Sequence, residues 1–217
     1  MSLKDRTREL DTAEMAALNI EDLKLIQQAD REVIGGGLYE TAVSAGNAAP
    51  GFSLLNQDEQ SIALSDLLGA GPLVLSFNRG SWCGYCRLEL VALEQARSTF
   101  TKKGAQIVSI APQSINANRE LHDQLDLGFP ILSDPGARVA SLYGLAYKLP
   151  EDLRHIYDRT GPDLASLNAA KGEKAWMIPV PATYLISQDG QVDYTFFDAN
   201  YRNRLDPQEL IEALAAH

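Results

Sequence analysis

The chain has 217 residues, 45% hydrophobic and 22% charged, with a formal net charge of -10 and only two cysteines. That is enough for one globular domain with an appendage and a core needing no disulfide framework. So negative a surface argues against nucleic-acid binding and against docking on anionic membranes. No apolar run approaches the roughly 18–20 residues of a membrane helix, and Met1-Ser2-Leu3-Lys4-Asp5-Arg6 lacks the apolar stretch of a secretory signal. The expectation is a soluble, cytoplasmic protein, in which cysteines separated by two residues read as reactive rather than structural.

Residues 1–45 form an expected helical extension. Leu10, Met15, Leu18, Leu23, Leu25, Ile26, Val33 and Ile34 recur among charges, and Gly35-Gly36-Gly37 interrupts them. Two or three helices follow from this, read as a cap on the main domain in preference to a dimerisation arm. From residue 46 onward the texture changes. Phe52-Ser53-Leu54 and Ser61-Ile62-Ala63-Leu64 flank a polar turn at 56–60, as in a hairpin. Leu73–Phe77 is an apolar run of strand length between Gly71-Pro72 and Asn78-Arg79-Gly80. Cys86, Leu90, Leu93 and Phe100 follow at helical spacing, with a stop at Lys102-Lys103-Gly104.

A second buried strand is expected at 106–110 and a helix at 116–127, closed by Gly128. Phe129-Pro130-Ile131-Leu132 reads as an edge segment, because proline cannot donate to a ladder. Asp134-Pro135 opens a further helix with Val139, Leu142 and Tyr143 on one face. About residues 146–178 the sequence reads as a long irregular insertion with Pro150, Gly161, Pro162 and Gly172, of the kind that forms lids or partner surfaces. Strands at 183–186 and 192–196 share the turn Gln188-Asp189-Gly190. Asp206-Pro207-Gln208-Glu209 then caps a final helix with Leu210, Ile211 and Leu214 inward. The predicted class is α/β, a mixed central sheet flanked by helices, and the element order resembles that of thioredoxin.

The chemistry points to Cys83-Gly84-Tyr85-Cys86 at a strand-to-helix junction. Unpaired backbone N–H groups at a helix start favour a thiolate, and Arg79 and Arg87 are candidates to add positive charge. Zinc is not implied, since His122, His155 and His217 have no ligand-like spacing to the pair; His122 reads as solvated. Pro181, in Val180-Pro181-Ala182-Thr183, is expected to be a cis proline facing the pair, as in thioredoxin-fold proteins. Trp82 reads equally as packing beside the thiols and as a wall of the partner surface.

Several segments together resemble the alkyl hydroperoxide reductase/thiol-specific antioxidant (AhpC/TSA) superfamily, the peroxiredoxins. They are Gly46-Asn47-Ala48-Ala49-Pro50-Gly51-Phe52, Arg79-Gly80-Ser81-Trp82-Cys83-Gly84-Tyr85-Cys86, Ser109-Ile110-Ala111-Pro112-Gln113, Phe129-Pro130-Ile131-Leu132-Ser133-Asp134 and Val180-Pro181-Ala182-Thr183-Tyr184. The resemblance covers residues 46–217 and implies a thioredoxin-like domain without cofactor. Its implied activity is hydroperoxide reduction through a Cys83–Cys86 disulfide, recycled by thioredoxin or another thiol donor. A homodimer is a further implied possibility. The family loop Pro-x-x-x-Thr-x-x-Cys, laid on Cys86, puts Arg79 at the proline position and Cys83 at the threonine position; Pro181 stands where the family keeps an arginine. By that alignment Cys86 meets the peroxide, whereas by thioredoxin logic Cys83 attacks a disulfide. Thiol–disulfide exchange without peroxidase activity, and a redox-sensing binding protein, are the alternative readings.

Overall fold

The computed structural model describes residues 1–161 and 163–216; side chains at 34, 38, 155, 158, 160 and 216 are outside the description. Helices α1 (Leu3–Ala17), α2 (Ile20–Gly35) and α3 (Leu38–Thr41) come first, then strands β1 (Ser53–Asn56) and β2 (Ser61–Ala63) and helix α4 (Leu64–Ala70). Strand β3 (Leu73–Phe77) leads into α5 (Gly84–Lys102), followed by β4 (Gln106–Ala111), α6 (Ile115–Leu125), β5 (Ile131–Ser133) and α7 (Arg138–Leu142). Strand β6 (Ala146–Lys148), helices α8 (Glu151–Thr160) and α9 (Leu164–Leu167) and strand β7 (Met177–Pro179) precede β8 (Ala182–Ile186), β9 (Val192–Phe197) and α10 (Pro207–Ala216).

The main sheet runs β2-β1-β5-β4-β3-β8-β9. Strands β3, β4 and β5 are parallel to one another, and β1, β8 and β9 join antiparallel. Period-two alternation sorts the side chains of β3 between two cores. Leu73, Leu75 and Phe77 meet Leu64, Val139, Tyr143 and Tyr184 on one face. Val74 meets Leu90, Leu93 and Phe100 of α5, Leu121 of α6 and Leu210 of α10 on the other. With apolar layers on both sides, β3 is the most enclosed strand, which is why its sequence is apolar at every position but Ser76 rather than alternating.

Three expectations need correction. Strand β5 is not an edge: it lies between β1 and β4. The strand begins one residue after Pro130, whose carbonyl accepts the Ser109 N–H, so the missing N–H costs the ladder nothing. Leu142 is exposed at 52% although Val139 and Tyr143 are buried, because α7 has only five residues and turns Leu142 outward. Residues 146–178 are not irregular. They hold the β6–β7 hairpin and α8, whose Leu153 and Ile156 build a third core with Ala29 of α2, Leu149, Leu164 and Ile178. Pro150 and Gly161, which suggested a loop, are the two caps of α8; Pro162 lies outside the described residues. The sequence pattern also missed α4.

Helices α1 and α2 lie on the domain rather than away from it. Ser2 closes a capping box with Asp5 at the start of α1, and Asn19 caps α2 through the Asp22 N–H. Leu18, Leu25 and Ile26 pack on the third core. Arg202 pairs with Asp11 of α1 (3.0 Å) and Asp30 of α2 (2.7 Å), and Arg159 with Asp22 (2.6 Å).

Candidate active site

The segment between β3 and α5 is held from both sides. Asn78 donates its backbone N–H to Ile110 and its side-chain amide to Ser109 Oγ (2.8 Å). The Gln113 side chain accepts the Ser81 N–H at 2.7 Å and donates to Ser81 Oγ at 3.1 Å. Gly80 sits between these anchors at φ +131, where a Cβ would come within 2.8 Å of Trp82 Nε1 and 2.9 Å of Gln113 Cδ; only glycine suits the turn. Cys83 follows as the N-cap residue of α5, with φ -88 and ψ 107. Its sulfur therefore stands at the positive end of a 19-residue helix.

Both cysteines are free thiols, 3% and 0% exposed. Cys86 Sγ accepts the Arg79 N–H at 3.4 Å. The decisive cation comes from much later in the chain. Arg204 Nη2 lies 3.3 Å from Cys86 Sγ and 3.8 Å from Cys83 Sγ. It is held there from behind: Arg204 Nη1 donates to Glu89 Oε2, Arg204 Nε donates to the Tyr201 carbonyl (2.8 Å), and Glu89 Oε1 accepts from Thr183 Oγ1 (2.8 Å). Glu89 and Arg204 are both almost fully enclosed. Burial pushes the Glu89 carboxyl up, with Arg204 opposing.

Burial alone raises both thiols, because a thiolate loses its hydration. At Cys83 that effect is outweighed by the hydrogen bond from Cys86 and by the guanidiniums of Arg79 and Arg204, which bring it down to about 6. At Cys86 burial wins, reinforced by the hydrogen bond to Cys83, and the thiol is held well above its usual range despite Arg204. Of the two thiols, Cys83 is thus the one biased toward the thiolate and Cys86 the one biased toward keeping its proton.

Arg79 is buried beside the pair. Its guanidinium carbon lies 4.6 Å from the Trp82 ring and 4.0 Å from the Tyr201 ring, and Nη2 donates to Tyr157 Oη at 3.3 Å. Stacking on two aromatic faces is a favourable way to hold a desolvated guanidinium. Trp82 packs edge-on against Tyr157 and lines a cavity of about 280 Å³ with Met15, Leu18, Ile26 and Leu153.

Arg79 and Trp82 both lie beside the cysteines, whereas Arg87 and the peptide bond before Pro181 are placed otherwise than expected. Arg87 Nη1 donates to Gln124 Oε1 on α6 from a half-buried position, on the side of α5 next round from Cys86. Pro181 is buried at the entry to β8, whose Ala182 pairs with Phe77, but no peptide bond among the described residues is cis. Its neighbour Val180 is bonded to the Leu145 carbonyl, and the chain runs on in the trans form that X-Pro bonds prefer. His122 lies against Asp123 on α6; His217 and the His155 side chain lie outside the described residues. Glu89 had a readable signal, a carboxylate on the same apolar helix face as Cys86, Leu90 and Leu93, which demands a cation. Arg204 had none.

A Cys-x-x-Cys at the N-terminus of the helix that follows the central strand of a mixed sheet defines an α/β protein of thioredoxin-like fold. Residues 45–195 match the AhpC/TSA family model, and the chain belongs to that family. It is 27% identical over 169 residues to "Peroxiredoxin Q, chloroplastic" of Oryza sativa subsp. japonica, covering 78% of this chain and 64% of that protein. The chain thus spans just under two thirds of that relative's length. It is 25% identical over 154 residues to "Thiol-disulfide oxidoreductase ResA" of Bacillus thuringiensis subsp. konkukian, covering 70% and 69%. Among solved structures, the peroxidoxin BcpB of Mycobacterium tuberculosis superposes with a TM-score of 0.62 at 20% identity, over 80% of this chain and 97% of that one.

Proposed function

We propose that this chain is a thiol peroxidase that reduces hydroperoxides through a Cys83–Cys86 disulfide. The observation that carries the reading is Arg204, held by buried Glu89 against both sulfurs. A guanidinium at that point stabilises the attacking thiolate and also the negative charge that develops on the departing peroxide oxygen. Arg204 supplies from the C-terminal segment the group that Pro181 cannot supply from the start of β8.

In this reading Cys83, the charged sulfur, attacks one peroxide oxygen. The O–O bond breaks, the alkoxide or hydroxide leaves and takes up a proton, and Cys83 becomes a sulfenic acid. Cys86 then attacks that sulfur, gives up its own proton, and releases water as the disulfide forms. A thiol donor returns two electrons and two protons. The alignment with the family loop favours Cys86 as first attacker; the charge distribution favours Cys83. The experiment is stoichiometric peroxide on Cys83→Ser and Cys86→Ser with mass-spectrometric trapping. A sulfenic acid on Cys83 in the Cys86→Ser protein is expected. Peroxide that oxidises neither variant faster than free cysteine would overturn the peroxidase reading.

The second reading, thiol–disulfide exchange without peroxidase activity, draws on two observations. Cys83 fills the position of a peroxide-binding hydroxyl, and the chain is also similar to ResA. Catalysed reduction of insulin disulfides by a dithiol donor, together with inert behaviour toward peroxide, would favour it. A cytoplasmic setting is part of the proposal; among the described residues no helix is long and apolar enough to cross a membrane.

A further inference from the structure

Helix α1 lies directly on the start of α5. Leu10 packs on the cluster of Cys83, Tyr85 and Cys86 together with Trp82 and Tyr201. Its Cδ2 is 2.8 Å, and Glu14 Oε1 3.2 Å, from the point a Cβ on Gly84 would occupy. Asp11 Oδ1 accepts from Tyr85 Oη at 2.9 Å and pairs with Arg202 Nε at 3.0 Å. With α1 in place Cys83 and Cys86 are 3% and 0% exposed. Reducing a disulfide requires a thiolate to approach along the S–S axis. A thiol carried on a folded protein cannot thread beneath a packed helix to do so.

We propose that α1 occupies the docking surface of a protein dithiol reductant, which reaches the Cys83–Cys86 disulfide only after α1 has left. This rests on the redox reading above. The surface under α1 is an apolar seat, formed by Trp82, Tyr85 and Tyr201, beside Arg202. What it accepts is displayed by α1 itself: an apolar side chain with carboxylates one and four positions on, Leu10, Asp11 and Glu14. The partner is therefore a protein whose dithiol is bordered by an apolar side chain and carboxylates, which replace those of α1. Its thiolate attacks one sulfur of the disulfide and the other sulfur leaves as a thiolate. Its second thiol, deprotonated, then attacks the mixed disulfide, so that two electrons pass to this chain and the partner ends oxidised.

The test uses the full chain oxidised with diamide, which forms the disulfide whether or not peroxide does. Reduction by a thioredoxin is compared with reduction by dithiothreitol, in the wild type and in Leu10→Asp, whose charge cannot sit on the apolar cluster. The thioredoxin rate is expected to rise about tenfold or more, equivalent to about 1.4 kcal/mol of α1 docking, with a much smaller change for dithiothreitol. Equal acceleration of both reductants, or an unchanged or slower thioredoxin rate, overturns the proposal. If Leu10→Asp does not fold, the wild-type mixed disulfide with a single-cysteine thioredoxin decides: amide exchange across residues 3–17 must accelerate, and retained protection overturns it. Peroxide that fails to oxidise the pair sinks the peroxidase reading alone. A pair that diamide cannot oxidise removes both.

Discussion

At the scale of single residues, the site is an arrangement of charge around two buried sulfurs. Cys83 titrates at about 6 because Arg79, Arg204 and the Cys86 thiol outweigh burial. Alkylation of the reduced protein should therefore rise with pH through about 6 and level off above it. Arg204→Met removes the cation nearest both sulfurs, so the inflection should move up toward the ordinary range of about 8.5. The alkylation rate at pH 7 should then fall about tenfold or more; an unmoved inflection would deny Arg204 its role. Glu89→Gln should act oppositely on chemistry and stability. It keeps an acceptor for Thr183 but takes from buried Arg204 its carboxylate partner, a loss of about 3–5 kcal/mol readable in urea unfolding. Its thiol inflection should stay at or below about 6, since a negative neighbour of the thiolate has gone. The lowered pKa also stabilises the reduced form. The sign follows from linkage: the folded value lies below the unfolded one, so this contribution is full above the unfolded value and fades as pH falls through about 6. The stability of reduced relative to oxidised protein should accordingly grow between about pH 6 and 8, below the range where ionisation of Cys86 in the unfolded chain opposes it, measured by paired denaturant titrations.

At the scale of elements, the turn between β3 and α5 decides where the sulfurs point. Gly80 takes φ +131 with Trp82 and Gln113 closed over it. Gly80→Ala combines backbone strain with a clash against both, for a cost of about 1–3 kcal/mol or more. Because Trp82 carries the Arg79 guanidinium, the substitution should also raise the Cys83 inflection, which an alanine at exposed Gly69 should not. The helix α5 was readable from its Cys86, Leu90, Leu93 and Phe100 repeat and from its lysine-glycine stop. Strand β5 was misread as an edge, because proline carries a strong local signal while the neighbour that covers the strand, β1, lies more than 70 residues earlier. Helix α8 was lost for a related reason. Its core contacts, Leu153 and Ile156, gain meaning only against Ala29 of α2.

At the scale of the whole molecule, the acidic N-terminal helices are tied to Arg202 of the C-terminal segment beside the dithiol. Arg202 holds Asp11 and Asp30 at once while only 13% exposed. Arg202→Gln should loosen α1 and α2 together, seen as faster proteolysis within residues 1–45 with the main unfolding transition little moved. Unchanged cleavage would show that the apolar contacts of Leu10, Leu18, Leu25 and Ile26 hold the cap without Arg202. The division between what was legible and what was not follows sequence distance. Two cysteines at a strand-helix junction, the alternation of elements and the helix stop are local patterns, governed by backbone periodicity and capping, and they determined the fold class and the redox pair. The guanidinium on the sulfurs, the trans peptide at Pro181, the enclosure of β5 and the helix over the thiols are set by packing between segments up to 191 positions apart, as from Asp11 to Arg202. Local propensity carries no record of such contacts, and only the tertiary structure decided them.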